Sequence, residues 1–200
     1  PLAGLIRDRL GYAYVFALLA VLLLVTAGLA WRFVTESLPS ARSQPGGARR
    51  LLRNPRLSVS YTSAFCLLFS LGTLIVFLPL RAEEFGLSAA QTGMLFASFA
   101  LAAIVTQLLP VGRLSDRWGR QKPIVLGLGI IGAALALLAL APNAAALYAL
   151  MFLYGVGFGA LFPAMSALIG DEATAETRGV AAGIFTAVFS LGVTVGAMSS

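Results

Sequence analysis

The sequence has no histidine and a single cysteine, Cys66, in 200 residues. A disulfide framework and a His/Cys metal centre are thereby excluded. Charge is scarce as well: 11% of residues are Asp, Glu, Lys or Arg, against roughly a quarter in soluble domains. The balance is basic, with 14 Lys and Arg against 8 Asp and Glu. Nucleic acid is nevertheless not an expected partner, because the arginines sit in short loops with no interleaved aromatic stacking platform. No charged residue stands at the centre of an apolar run. A charge there costs roughly 2.5–3.5 kcal/mol and marks a proton or ion pathway.

Apolar residues fill the space that charge leaves. They make up 59% of the chain, and mean hydropathy is +0.91, more than a compact core of this length can hide. Six runs approach or exceed the roughly 20 apolar residues that a bilayer core demands: Tyr12–Trp31, Leu57–Leu80, Gln91–Val111, Pro123–Ala141, Ala144–Ile169 and Gly179–Met198. The fold class is all-α, a polytopic transmembrane bundle whose first partner is the lipid bilayer. Eleven of the 14 Lys and Arg fall in connectors on one side, and Arg7, Arg9 and Arg81 on the other. The positive-inside rule places the richer side in the cytoplasm. Both chain ends then lie opposite, and Pro1 is not an initiator methionine, so the chain reads as a fragment.

Between the first two spans, Thr35–Arg56 is rich in Pro, Gly, Ser and Arg and reads as a flexible cytoplasmic linker near anionic headgroups. The loop Gly112–Lys122, GRLSDRWGRQK, is the densest cluster of charge and glycine. A weaker echo, GLIRDRLGY, occupies Gly4–Tyr12, with Gly4, Asp8, Arg9 and Gly11 matching Gly112, Asp116, Arg117 and Gly119. Three spans separate the copies, which suggests a three-helix repeat of the kind found in secondary transporters.

On these residues the chain resembles the major facilitator superfamily, whose loop reads G-x-L-[SA]-D-R-x-G-R-[RK]-[RK]; Gln121 departs from it. The resemblance implies a partial transporter fold of six helices. Residues 1–34 would hold the end of helix five and helix six; 35–56 the central loop; 57–200 helices seven to eleven. The rest of the N-terminal half would be a missing partner of the same chain. It further implies a conformational latch of Gly112, Asp116, Arg117, Gly119 and Arg120. Physically, the aspartate can face an arginine or a helix's positive end, and the arginines offer bidentate donors. A simple positive-inside anchor is the plainer alternative. Asp171, Glu172 and Arg178, in the loop DEATAETRG, are the candidate latch partners, against a merely solvated cluster.

Polar residues are unevenly shared among the spans. The first and fourth are almost wholly apolar and suit a lipid-facing position; the others carry hydroxyls and tyrosines. Thr186, Ser190 and Thr194 recur every four residues and share one helical face. At mid-membrane depth Ser70, Ser98, Tyr154, Phe158 and Ser190 are candidates for a substrate cavity; the alternative is local hydrogen bonding to backbone or neighbouring helices. GLGIIG at Gly127–Gly132 fits a dinucleotide fingerprint only by letters, since it lies inside an apolar span. GVGFG at Gly155–Gly159 suits either tight packing or bending beside Pro163. Pro1-Leu2-Ala3-Gly4 resembles the tail of the helix-five G-P-x-x-G signature of the family's proton-coupled drug antiporters.

The reading that follows is a secondary transporter of a small molecule in the plasma membrane, working by alternating access as a proton-coupled exporter of amphipathic compounds. Protons are the coupling ion, and no cofactor or metal is implied. A proton-coupled uptake symporter for a metabolite is the alternative within the class, and a non-transporting polytopic scaffold the one outside it. An enzyme would need ionisable residues converging in or beside the spans, and none do.

Overall fold

The structure is a computed structural model that describes residues 20–21, 23–29, 32, 47–108, 119–174 and 176–199. Regular structure among these residues is entirely α-helical. The chain divides into two compact units, Pro1–Arg42 and Ser43–Ser200. In the first, residues 20–21 and 23–29 are helical and exposed, within the expected span Tyr12–Trp31. Among its described residues the second holds six helices: α1 (Gly47–Leu52), α2 (Pro55–Glu84), α3 (Ala89–Leu108), α4 (Gln121–Ala139), α5 (Ala144–Glu172) and α6 (Arg178–Met198). Five of them, α2 to α6, are long and apolar enough to cross a membrane.

Local chemistry explains the boundaries. Asn54 caps α2, its side chain accepting from the Arg56 N–H at 3.0 Å, and Pro55 takes the first helical position, where its missing N–H costs nothing. The 30 residues of α2 reach about 45 Å at about 1.5 Å per residue, well past a bilayer core of about 30 Å. α5, at 29 residues and capped by Asn143, does the same in the opposite direction. Both therefore carry charged ends out of the hydrocarbon. Gly86, at φ +70°, closes α2, and a reciprocal Ser88–Gln91 capping box opens α3. The linker Thr35–Arg56 is not wholly irregular: its end folds as α1, whose Leu51 is buried with Leu57 and Tyr61.

α5 is the centre of the bundle, packed against α2, α3 and α4, while α6 packs along α2. Three seams are set by glycine. Gly192 and Gly196 of α6 lie on the Phe65 and Phe69 carbonyls of α2, where a Cβ on Gly192 would stand 2.8 Å from the Phe65 oxygen. Gly155 and Gly159 of α5 meet the Phe99 and Ala103 carbonyls of α3, a Cβ on Gly159 falling 2.7 Å from the Ala103 oxygen. Gly157, on another face of α5, meets Gly127 of α4, with a Cβ there 3.0 Å from the Gly127 oxygen. The GVGFG stretch thus serves tight packing on two sides of one helix. Gly127 belongs to the GLGIIG decoy, whose Gly129 and Gly132 face open space. The outer face of α4 exposes Val125, Leu126 and Leu137, which lipid tolerates as well as a core would.

Candidate functional site

At the end of the bundle where α2 and α4 begin and α5 finishes, a cleft of about 530 Å³ is lined by Arg56, Arg120, Lys122, Asp171 and Glu172, with Gly119 and Gln121. Neither α2 nor α4 has an acidic residue in its first turn, so two positive helix ends converge there uncompensated by their own sequence. Asp171 and Glu172 sit at the C-terminus of α5, unfavourably for that helix's own dipole. Their position is explained by neighbours. Arg120 Nε donates to Asp171 Oδ2 at 2.9 Å. Arg56 Nη1 donates to Glu172 Oε1 at 2.9 Å, and Asn54 Nδ2 to Glu172 Oε2 at 3.0 Å. The N-cap residue of α2 therefore satisfies its own helix with one atom and ties α5 with another.

Of the residues expected in the latch, Gly119 and Arg120 are described and Gly112, Asp116 and Arg117 lie outside the described residues, as do Gly4–Tyr12 and Pro1–Gly4. Gly119 takes φ +83°, a left-handed turn that favours glycine, as the chain enters α4. Among the candidate partners, Asp171 meets Arg120 and Glu172 meets Arg56. Arg178 opens α6 and makes no ion pair with a described residue. In the connecting turn, the Thr174 hydroxyl beside Glu176 holds its carboxyl below the ordinary value. Arg56 and Asn54, which hold Glu172, look like ordinary linker residues in the sequence. Nothing local marks them, because their partner is more than a hundred residues away.

In the apolar interior, Ser70 and Tyr154 come together at 2.8 Å. Ser70 donates to the Leu67 carbonyl at 2.6 Å, so its oxygen receives the Tyr154 proton. Tyr154 is fully buried, tying α5 to α2, and does not border open space. Its ring lies 5.5 Å from Phe99, which meets Phe158 edge-on at 5.4 Å. Ser98 is half-buried and bonds its own helix at Leu95, and Ser190 is exposed on α6 beside Phe189. Ser70 also borders a groove of about 630 Å³ between α2 and α4, with Thr73, Leu74, Phe77, Leu138 and Arg81. Arg81 closes one end of it, pairing with Glu84, donating to the Ala141 carbonyl at 3.3 Å and lying 5.1 Å from the Phe85 ring centre. The described residues contain no group of three or more His, Cys, Asp or Glu placed to hold a metal.

The Major Facilitator Superfamily model matches residues 1–197. Multidrug resistance protein 2 of Bacillus subtilis is 30% identical over 135 residues, covering 68% of this chain and 34% of that protein. Multidrug resistance protein 1 of the same organism is 28% identical over 144 residues, 72% of this chain and 37% of its own length. Quinolone resistance protein NorA of Staphylococcus aureus is 25% identical over 143 residues, with 72% and 37% covered. The chain thus spans about a third of the curated relatives it matches. With the helical bundle and the Gly119–Arg120 entry to α4, a match over nearly the whole chain establishes it as a multi-pass membrane protein of the Major Facilitator Superfamily.

Proposed function

We propose that this chain forms part of a proton-coupled exporter of amphipathic, drug-like compounds in the plasma membrane, with α2 to α6 as helices seven to eleven and the basic end in the cytoplasm. Family membership makes it part of a transporter and not an enzyme. Export is favoured because the relatives named above carry drug-resistance names. Whatever proton-binding carboxylate drives it belongs to the N-terminal half of the same protein, since no described span carries an acidic residue near its centre.

The observation that carries the mechanism is the Arg120–Asp171 pair, which joins the start of α4 to the end of α5 across 51 residues. Exposed ion pairs contribute only about 0–1 kcal/mol each. Their value lies in being present in one conformation and absent in the other, so that they bias a two-state equilibrium. Arg120–Asp171 and Arg56–Glu172, with Asp116, Arg117 and Gly112 of the same loop, latch the cytoplasmic face while the opposite face is open. Ser70, Ser98, Tyr154, Phe158 and Ser190 lie along the substrate path, Ser70 and Tyr154 as its hydrogen-bonded backing.

The test is flux by the intact protein in vesicles under an imposed pH gradient. Substrate moving against the proton flow supports export; co-movement gives uptake symport instead. Unchanged flux in Asp171→Asn and Asp116→Asn at normal expression would remove the latch. A protein that moves nothing would be a scaffold.

A further inference from the structure

α5 and α6 both pack against α2, yet their backbones barely approach each other. The seam between them holds phenylalanine rings instead. Phe158 and Phe162 of α5 stack at 5.6 Å and 5° between planes. Phe162 then meets Phe185 of α6 at 6.3 Å and 55°, and Phe185 meets Phe189 at 6.4 Å and 52°. All four rings are half-buried. The seam ends against a cluster of buried Leu57, Tyr61, Ile169 and Ala181. Phe162–Phe185 is the one ring contact that crosses from α5 to α6 among the described residues, and no hydrogen bond between the two helices' side chains reinforces it.

We propose that Phe162 and Phe185 are specificity-determining residues, forming a subsite that takes the flat aromatic part of a transported molecule between their rings. The proposal rests on the transport reading above and names the chemistry its site selects. A ring sandwiched between two others at van der Waals contact, about 3.5 Å on each side, needs a centroid separation of about 7 Å. The rings stand at 6.3 Å, so they must turn parallel and part by under about 1 Å. The movement required is a turn of the Phe162 and Phe185 side chains, Phe162 leaving its stack on Phe158, at a seam where no glycine of α5 or α6 meets the other helix's backbone. An offset-stacked pair is favoured by the ring quadrupoles beyond its buried area. An aliphatic chain gains none of that term.

The experiment compares a planar tricyclic acridine dye with an alkyltrimethylammonium ion of equal charge, in the intact protein. Phe162→Leu and Phe185→Leu raise KM for the acridine about five- to tenfold, leaving its kcat and the alkylammonium KM unchanged, and Phe162→Trp restores it. Equal losses for both probes, or no loss for either, would overturn the subsite. Equilibrium binding of the acridine to the detergent-purified protein separates the two readings. If neither probe is transported but acridine binding weakens about five- to tenfold in both Leu variants, the subsite stands and the transport reading falls. If the acridine is transported with the same KM by wild type and variants, the subsite falls and the transport reading is untouched.

Discussion

The seam between α2 and α6 and the seam between α5 and α6 share one helix and differ in every material respect. Along α2, α6 presents Gly192 and Gly196 to bare carbonyls, and Thr73 donates to the Gly196 oxygen at 3.2 Å. Along α5, the same helix is held off and touches through phenyl rings. In lipid the hydrophobic effect does not distinguish these arrangements, since tails are as apolar as side chains. Close backbone packing and interhelical hydrogen bonds do. The glycine seam is therefore the closely packed one, and the ring seam the one with less holding it together.

The comparison breaks most severely at Gly196→Leu. Its Cβ meets the Phe69 carbonyl, which is backbone and cannot swing away. Overpacking of this kind costs about 1–3 kcal/mol or more, read as a lower thermal midpoint in detergent or as lost folded protein. Gly132→Leu, where nothing lies within 4 Å, is the matched control and should behave as wild type. Gly155→Leu should resemble Gly196→Leu, because it strikes the Phe99 carbonyl; if it is tolerated, the α3–α5 seam is not glycine-set.

A smaller effect sharpens the contrast. Tyr154→Phe deletes the bond to Ser70 while keeping the ring against Phe99. Cross-helix hydrogen bonds in membranes average about 0.6 kcal/mol and reach about 1.7, so the thermal midpoint should fall slightly. Ser70→Ala should cost no more, and the double variant should be sub-additive. The smallest stability change belongs to Asp171→Asn at the exposed charged end, within about 1 kcal/mol. There the readout is conformation: accessibility of a cysteine placed beside the cleft should rise, and high salt should reproduce the effect in wild type.

Five of the six expected spans were legible in the sequence, because hydropathy is summed along a single helix. Tyr12–Trp31 and the last three residues of Gln91–Val111 lie wholly or partly outside the described residues; the rest of each expected run lies within or close to a helix. End chemistry set the starts: Asn54 and Pro55 begin α2 ahead of its apolar run, whereas Asn143 begins α5 at the expected residue. The acidic loop at Asp171 and Glu172 was visible as opposite charge near the basic loop. The Asn54 and Arg56 partners of Glu172 were not, since both looked like linker residues. By its letters GVGFG suits bending or packing; neighbours on two helices decide for packing.

What the sequence alone determined is the one-dimensional part: lipid as solvent, a basic set of connectors on one side, and hydroxyls and glycines concentrated in particular spans. Which way each helix turns was decided only in three dimensions. Apart from the Thr186, Ser190 and Thr194 stripe, apolar residues surround the spans on nearly every side, so water expels no face and periodicity says little about rotation about the helix axis. That rotation follows from where a missing side chain admits a neighbour's backbone, as at Gly155, Gly157 and Gly159. It decides that Tyr154 reaches Ser70 while Phe162 reaches Phe185.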